Sequence, residues 1–359
     1  MKKEILLSYF PKNTVKRYQE LVAVFENLDN AWKASARELI KIGWEEKLVQ
    51  EFFAWKNKVN EEKIAKILEH EKIYCLTRDD KQYPANLKEL YDPPFCLFVR
   101  GELPKDGFNL AVVGTRKYTT YGKQMTEELV AELTQNGLNI ISGLALGIDG
   151  IAHETTLKAG GKTMAVLGTG INDAHIYPGA HRDLAKRIIN SNGALISEYP
   201  PGALPSRFGF PKRNRIIAGL SLGVLVTEAP EESGALITAQ CALDLGREIF
   251  AIPHSITSPT AKGTNALIKN GAHLINSAKD ILEILNLQEI KQFIGNREIL
   301  PDSPIEAKFL QHLSREPLHV DQIIKLTQLD SPTVNATLTM MEMKGKVRNL
   351  GAMMYVLGK

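Results

Sequence analysis

Phe210-Pro211-Lys212-Arg213-Asn214-Arg215 sets three cations beside an aromatic ring, directly ahead of the apolar run Ile216-Ile217-Ala218-Gly219. Phe208 adds a second ring just upstream. Fixed cations next to aromatics suit phosphates and bases better than a small neutral substrate, through charge, stacking and cation–π contact. Gly114-Thr115-Arg116 offers related chemistry: a glycine permitting close backbone approach, a hydroxyl for an oxyanion and a guanidinium that grips phosphate through two donors. Ser142-Gly143 opens a second glycine-bearing loop ending at Asp149, and Ser233-Gly234 opens a helix whose N-terminus can receive an anion. Gly168-Thr169-Gly170 begins like a dinucleotide fingerprint but lacks the third glycine at its spacing. One such loop is more simply a tight turn. Four at one edge, with Arg116 and the cluster from Lys212 to Arg215, favour an anion-binding groove.

Catalysis has thin support. His153, His175, His181, His254 and His273 show no metal-ligand spacing, and each reads as a surface or structural histidine. Asp149, four residues before His153, is explained at least as well by helix capping as by acid–base work. There is no Ser/His/Asp arrangement and no phosphate-binding loop of the Walker type.

The elements that must carry these residues alternate strand and helix from about 108 to 285. Strands are expected at Leu110–Gly114, Leu138–Gly143, Thr163–Gly168, Ala194–Glu198, Val224–Val226 and Glu248–Ile252. Such alternation demands a Rossmann-like doubly wound parallel sheet covered on both faces, an α/β fold that binds ligands at the carboxyl edge of its strands. Residues 1–70 read as a small helical domain, SAM/helix-hairpin-helix-like, with helical patterns over Val15–Phe25, Ala31–Ile40 and Glu45–Lys58. The turn Leu39-Ile40-Lys41-Ile42-Gly43 resembles a helix-hairpin-helix grip on a nucleic-acid backbone, although a plain bundle turn explains it better. Residues 71–107 form a connecting region broken by Pro84, Pro93 and Pro94, with a strand at Leu97–Gly101 leading into the domain at 108–286. A linker is expected over 287–303. Residues 304–359 read as a winged helix: helices at Ile305–Glu316, Val320–Thr327 and, capped by Ser331, from Pro332 to about Lys344, then a hairpin around Gly351.

Bulk composition sets limits. The chain has 359 residues, 44% hydrophobic and 24% charged, enough for two or three soluble domains. A net charge of +3 is too small to mark a nucleic-acid binder, so any such activity rests on local clustering. Three scattered cysteines give neither a disulfide framework nor a metal site, which points to a reducing cytoplasm. No signal peptide or membrane span is expected.

Taken together, Gly114–Arg116, Ser142–Asp149, Tyr177-Pro178, Phe210–Ser221, Glu228-Ala229 with Ser233–Ala239, and Gly263–Asn265 to Gly271-Ala272 resemble the DNA-processing protein A (DprA/Smf) family. The resemblance covers about 100–285 and implies a non-enzymatic recombination mediator without cofactor or metal. Such a protein binds single-stranded DNA in the Rossmann groove, dimerises through that domain and loads the RecA recombinase, protecting incoming DNA in natural transformation. Carried over, Arg116, Lys212, Arg213, Asn214 and Arg215 would hold phosphates, while Ser142-Gly143 and Ser233-Gly234 would add amides. Gly114, Thr115 and Phe210 complete the DNA site, and Leu267 and Ile268 are candidates for the dimer or partner surface. The competing readings are a Rossmann-type nucleotide phosphoribohydrolase and a nucleotide sensor. The first would carry a Pro-Gly-Gly loop and catalytic glutamate, where this chain has Glu228-Ala229-Pro230-Glu231-Glu232-Ser233-Gly234. The expected recognition helix, Pro332–Met343, contains Glu342 and no Lys or Arg. That module is therefore expected to contact protein, or at most to set Lys344, Lys346 and Arg348 on phosphates.

Overall fold

A computed structural model describes residues 1–104, 108–287, 302–313, 318–344, 346–349, 351 and 353–357. The chain divides into two compact units, Met1–Gln288 and Glu289–Lys359.

The first unit opens with six helices: α1 (Lys3–Ser8), α2 (Val15–Phe25), α3 (Leu28–Lys33), α4 (Ala36–Lys41), α5 (Glu46–Lys56) and α6 (Glu61–His70). The pattern expected as one helix over Ala31–Ile40 is two. Ser35 accepts from the Glu38 amide while the Glu38 carboxylate accepts from the Ser35 amide, a capping box that restarts the helix. Gly43, at φ +98°, turns the chain between α4 and α5. The amides of Ile42, Gly43 and Trp44 all donate within this turn, to Glu38, Ile40 and Leu39. The hairpin thus keeps its donors to itself and acts as a bundle turn. Phe52 anchors the helices, with Phe10 at 5.4 Å and Trp44 at 5.5 Å edge-on.

The apolar core runs unbroken from these helices onto one face of the sheet, joining Leu6, Leu7 and Leu39 to Phe98, Ala165 and Leu195. The segment expected as a connector contributes two of the sheet's strands. These are β1 (Ile73–Thr77) and β2 (Cys96–Gly101), paired antiparallel with Ile73 opposite Arg100, with the short helix α7 (Ala85–Lys88) between them. Strand β2 also pairs antiparallel with β6 (Ala194–Ser197). The sheet is therefore mixed at this edge.

From there the chain winds as expected: β3 (Asn109–Val113), α8 (Thr120–Gln135), β4 (Asn139–Ser142), α9 (Ile148–Lys158), β5 (Thr163–Leu167), α10 (Arg182–Asn190), β6, α11 (Gly209–Gly219), β7 (Gly223–Val226), α12 (Gly234–Asp244), β8 (Glu248–Ala251), α13 (Lys262–Lys269), β9 (His273–Leu274) and α14 (Ala278–Ile284). The strand order is β1-β2-β6-β5-β4-β3-β7-β8-β9, parallel from β6 to β9. After β3 the chain moves toward β4, whereas after β7 it moves toward β8. The loops leaving β3 and β7 thus diverge and open a crevice at the carboxyl edge, the switch point of a doubly wound sheet.

The second unit holds α15 (Pro304–His312), β10 (Leu318–His319), α16 (Val320–Thr327), α17 (Ser331–Met343), β11 (Val347–Asn349) and β12 (Met354–Leu357), with strand order β10-β12-β11. Phe309, Ile323, Val334, Leu338 and Met341 fill its core. Asp330, not Ser331, caps α17 by accepting from the Thr333 amide at 3.2 Å. The expected extension of α15 to Glu316 and the break at Pro317 lie outside the described residues.

Candidate nucleic-acid interface

A groove of about 850 Å³ opens at the switch point between β3 and β7. Gly114 ends β3 where a Cβ would collide with Ile148 and the Glu228 carbonyl, so only glycine lets the loop turn there. The Thr115 amide donates to the Glu228 carbonyl at 2.7 Å. The buried Glu228 carboxylate accepts from the Thr119 amide at 2.9 Å and from its hydroxyl at 3.2 Å. Both ends of the loop are thereby pinned to the end of β7, and Arg116 projects exposed from its middle. The Arg116 guanidinium lies 6.0 Å from the Phe210 ring, which packs 5.5 Å from Tyr177.

The end of β4 is organised differently from expectation. Ser142 is fully buried and its hydroxyl donates to the Val112 carbonyl at 2.7 Å. The Gly143 amide donates to Asp149 Oδ2 at 3.1 Å. Neither group is available to a phosphate. Arg213 explains the glycine: its Nη1 donates to the Gly143 carbonyl at 2.6 Å and to the Val166 carbonyl. A side chain at 143 would land on that guanidinium. Burial pushes the Arg213 pKa down to about 10, so it stays charged at neutral pH, with Asp149 opposing the fall. Burial likewise raises the Asp149 carboxyl, while Arg213 and the amides at 143 and 145 draw it back.

Helix α11 sorts the basic cluster onto two faces. Its first turn already includes Lys212, so the cluster is helical rather than a loop, and Pro211 sits where no intrahelical N–H is needed. Phe210, Arg213, Asn214 and Ile217, spaced i, i+3, i+4 and i+7, line the groove. Lys212 and Arg215, three apart, leave it. Arg215 pairs with Glu198 at 2.8 Å and Asp92 at 2.9 Å, and Lys212 reaches Glu198 at 3.3 Å. The expectation that both hold phosphate is corrected by these carboxylates. Asn214 ties the helix to the fourth loop, donating to the Gly234 carbonyl at 3.2 Å. Ser233 caps α12 by accepting from the Ala235 amide at 3.3 Å, and with Gly234 it presents that helix N-terminus to the groove.

Lys117 and Arg207 also line the groove and were missed by sequence reasoning. Arg207 had a signal, since it precedes the exposed Phe208 and stacks over that ring at 4.8 Å. Lys117 had none. With Arg116 and Arg213 they give four cationic side chains against the single carboxylate of Asp149, so the groove is electropositive. His153 is fully buried outside it, 2.6 Å from the Thr163 hydroxyl, and burial lowers its pKa to about 3. Leu267 packs against the core under the sheet and Ile268 is half-buried, so neither stands out as an exposed contact. Among the described residues no group of three or more His, Cys, Asp or Glu side chains is placed to hold a metal ion. Among the same residues no helix is long and apolar enough to cross a membrane.

In the second unit, Lys344 pairs with Asp302 at 2.9 Å and Glu306 at 2.8 Å, and Lys346 with the same two carboxylates at 2.8 and 2.6 Å. These lysines hold the Glu306 carboxyl down to about 2. Two of the three expected phosphate contacts of the winged helix, Lys344 and Lys346, are thus occupied internally, while Arg348 is exposed.

Comparison with known proteins places this geometry. The family described as DNA recombination-mediator protein A matches residues 74–286, and a DprA winged helix domain family matches 296–353. Protein Smf of Synechocystis sp. is 36% identical over 375 residues, covering 94% of each chain. DNA processing protein DprA of Bacillus subtilis is 45% identical over 226 residues, 62% of this chain and 75% of that one. The X-ray structure of DNA processing protein A from Streptococcus pneumoniae superposes with a TM-score of 0.67 at 35% identity, over 79% of this chain and 98% of the other. DNA processing protein A from Helicobacter pylori, a structure described for its single-stranded DNA binding mode, gives 0.53 at 30% identity, over 60% and 97%.

Proposed function

The chain belongs to the DNA recombination-mediator protein A family, and from that premise we infer that its groove binds single-stranded DNA without chemistry on it. The observation carrying this reading is the Arg116–Phe210–Tyr177 arrangement at the mouth of an electropositive crevice. A cation and two rings at stacking distance can engage both components of an unpaired strand, phosphate and exposed base, whereas a duplex hides its base faces. The Helicobacter relative's single-stranded DNA binding supports the same ligand. The bound strand is passed to the RecA recombinase by a homodimer in the cytoplasm during DNA uptake, a role supported by the family's description as a recombination mediator.

The phosphoribohydrolase alternative needs a glutamate aimed into the groove after β7. Glu228 is the carboxylate at that strand end. It is buried and turned to Thr119, and it does not line the groove. The test pairs two assays: a labelled oligothymidylate is titrated with excess AMP as competitor, and AMP is incubated with the protein to look for free base. Oligonucleotide binding that survives excess AMP, with no base released, is the expected result. Base release without oligonucleotide binding would overturn the reading.

A further inference from the structure

We propose that a second cleft, between α6 and the loops after β5 and β6, receives the sugar-phosphate backbone of the same single strand where it leaves the main groove. This rests on the single-strand reading above. The cleft measures about 610 Å³, and Lys63, Lys66 and His70 face it from α6. Their spacing of three and four residues stacks them on one side of the helix. Asn172, His175 and Gly202 form part of the opposite wall.

Three observations point to a backbone ligand. Among the described residues neither Lys63 nor Lys66 has an ion-pair partner, whereas Lys212, Arg215 and Arg100 are all paired. The cleft does hold two carboxylates, Glu62 and Glu71. Glu71 is answered by Arg100 at 3.2 Å and by the Asp173 amide at 3.2 Å, which leaves Glu62 as the acidic residue on the exposed rim. Finally, the two depressions share one loop. Pro201 and Gly202 line the cleft, while Pro205, Ser206 and Arg207 line the groove.

That loop is held in place to act as a bridge. The Gly202 amide donates to Asn172 Oδ1 at 2.9 Å, and the Gly170 amide donates to the Ala203 carbonyl at 3.0 Å. Beyond this staple, Leu204 and Phe208 stand 74% and 71% exposed, with Arg207 stacked on Phe208. Exposed apolar surface beside a cation between two basic depressions suits bases crossing from one to the other.

Length dependence tests this. Oligothymidylates of about 4 to about 16 nucleotides, the span of typical single-strand sites, are titrated against the full chain by fluorescence anisotropy at several salt concentrations. The comparison is between the wild type, Lys63→Gln/Lys66→Gln and a control pair, Lys16→Gln/Lys47→Gln, from a different cleft of the helical region. All four lysines are exposed, and folding is checked by circular dichroism. The α6 pair is expected to weaken only the longer oligonucleotides and to lower their salt slope by about 1.4, two single-strand phosphate contacts. The shortest oligonucleotides and the control pair should be unaffected. A loss equal at every length, a loss matched by the control pair, or no loss would overturn the proposal. Failure of the wild type to bind any oligonucleotide would instead overturn the reading of the main groove.

Discussion

Two arginines close together in space have different work. Arg116 is exposed on a pinned loop, and its charge is free to meet a ligand. Arg213 is buried and holds the carbonyls of Gly143 and Val166 together. Arg116→Ala should therefore lower the salt slope of oligonucleotide binding by about 0.7, one phosphate, with the urea midpoint unmoved. Arg213→Ala should cost about 2–4 kcal/mol of folding stability, since it strands two buried carbonyls and the Asp149 charge. Equal destabilisation by both variants would contradict this division. His153 supplies a pH prediction at the same scale. Its folded pKa is about 3 against an ordinary 6.5, so between those values the unfolded chain binds the extra proton and stability falls as pH falls. The chain should be about 2 kcal/mol less stable at pH 5 than at pH 7.5 from this group. His153→Gln should flatten that part of the profile in urea titrations.

At the scale of elements, α11 decides which cations serve the groove. Its period sends Arg213 and Asn214 one way and Lys212 and Arg215 the other. Arg215→Gln leaves the nearly buried Glu198 short of its main partner, so it should lower thermal stability while keeping the salt slope of the wild type. A slope reduced by a full phosphate contact would restore Arg215 to the DNA site. This sorting was not legible in the sequence. The residues from Phe210 to Arg215 read as a loop before an apolar helix, because nothing local shows that the helix already begins at Gly209. Glu198 and Asp92, which claim Arg215, are distant in the chain. What was legible came from local signals: apolar runs ended by glycine marked β3, β4 and β5, the apolar run Val224–Val226 marked β7, and together they put their loops at one edge. Strand β1, and the place of β2 (expected at Leu97–Gly101) within the sheet, escaped for the opposite reason. Their partners lie up to a hundred residues away, as with Phe98 opposite Ser197, and the prolines between them looked like a connector. The Lys344–Glu306 and Lys346–Glu306 pairs were invisible on the same ground.

For the whole molecule, the groove is built entirely from the unit Met1–Gln288. Within the winged helix, Lys344 and Lys346 are committed to Asp302 and Glu306. On its recognition helix Met340 and Met343 are 54% and 81% exposed, a surface suited to protein rather than phosphate. A chain ending at residue 287 should bind oligothymidylate with the affinity and salt slope of the full chain. A loss beyond tenfold would show that the second unit carries part of the DNA site. The central claim, that the crevice between β3 and β7 holds several phosphates of an unpaired strand, is tested most directly by one titration. Labelled oligothymidylate is bound to the full chain across a range of salt, and the logarithm of affinity is plotted against the logarithm of salt concentration. A straight line falling by about 0.7 for each of several phosphates is predicted. A line that is flat, or no steeper than one phosphate contact, would contradict the account.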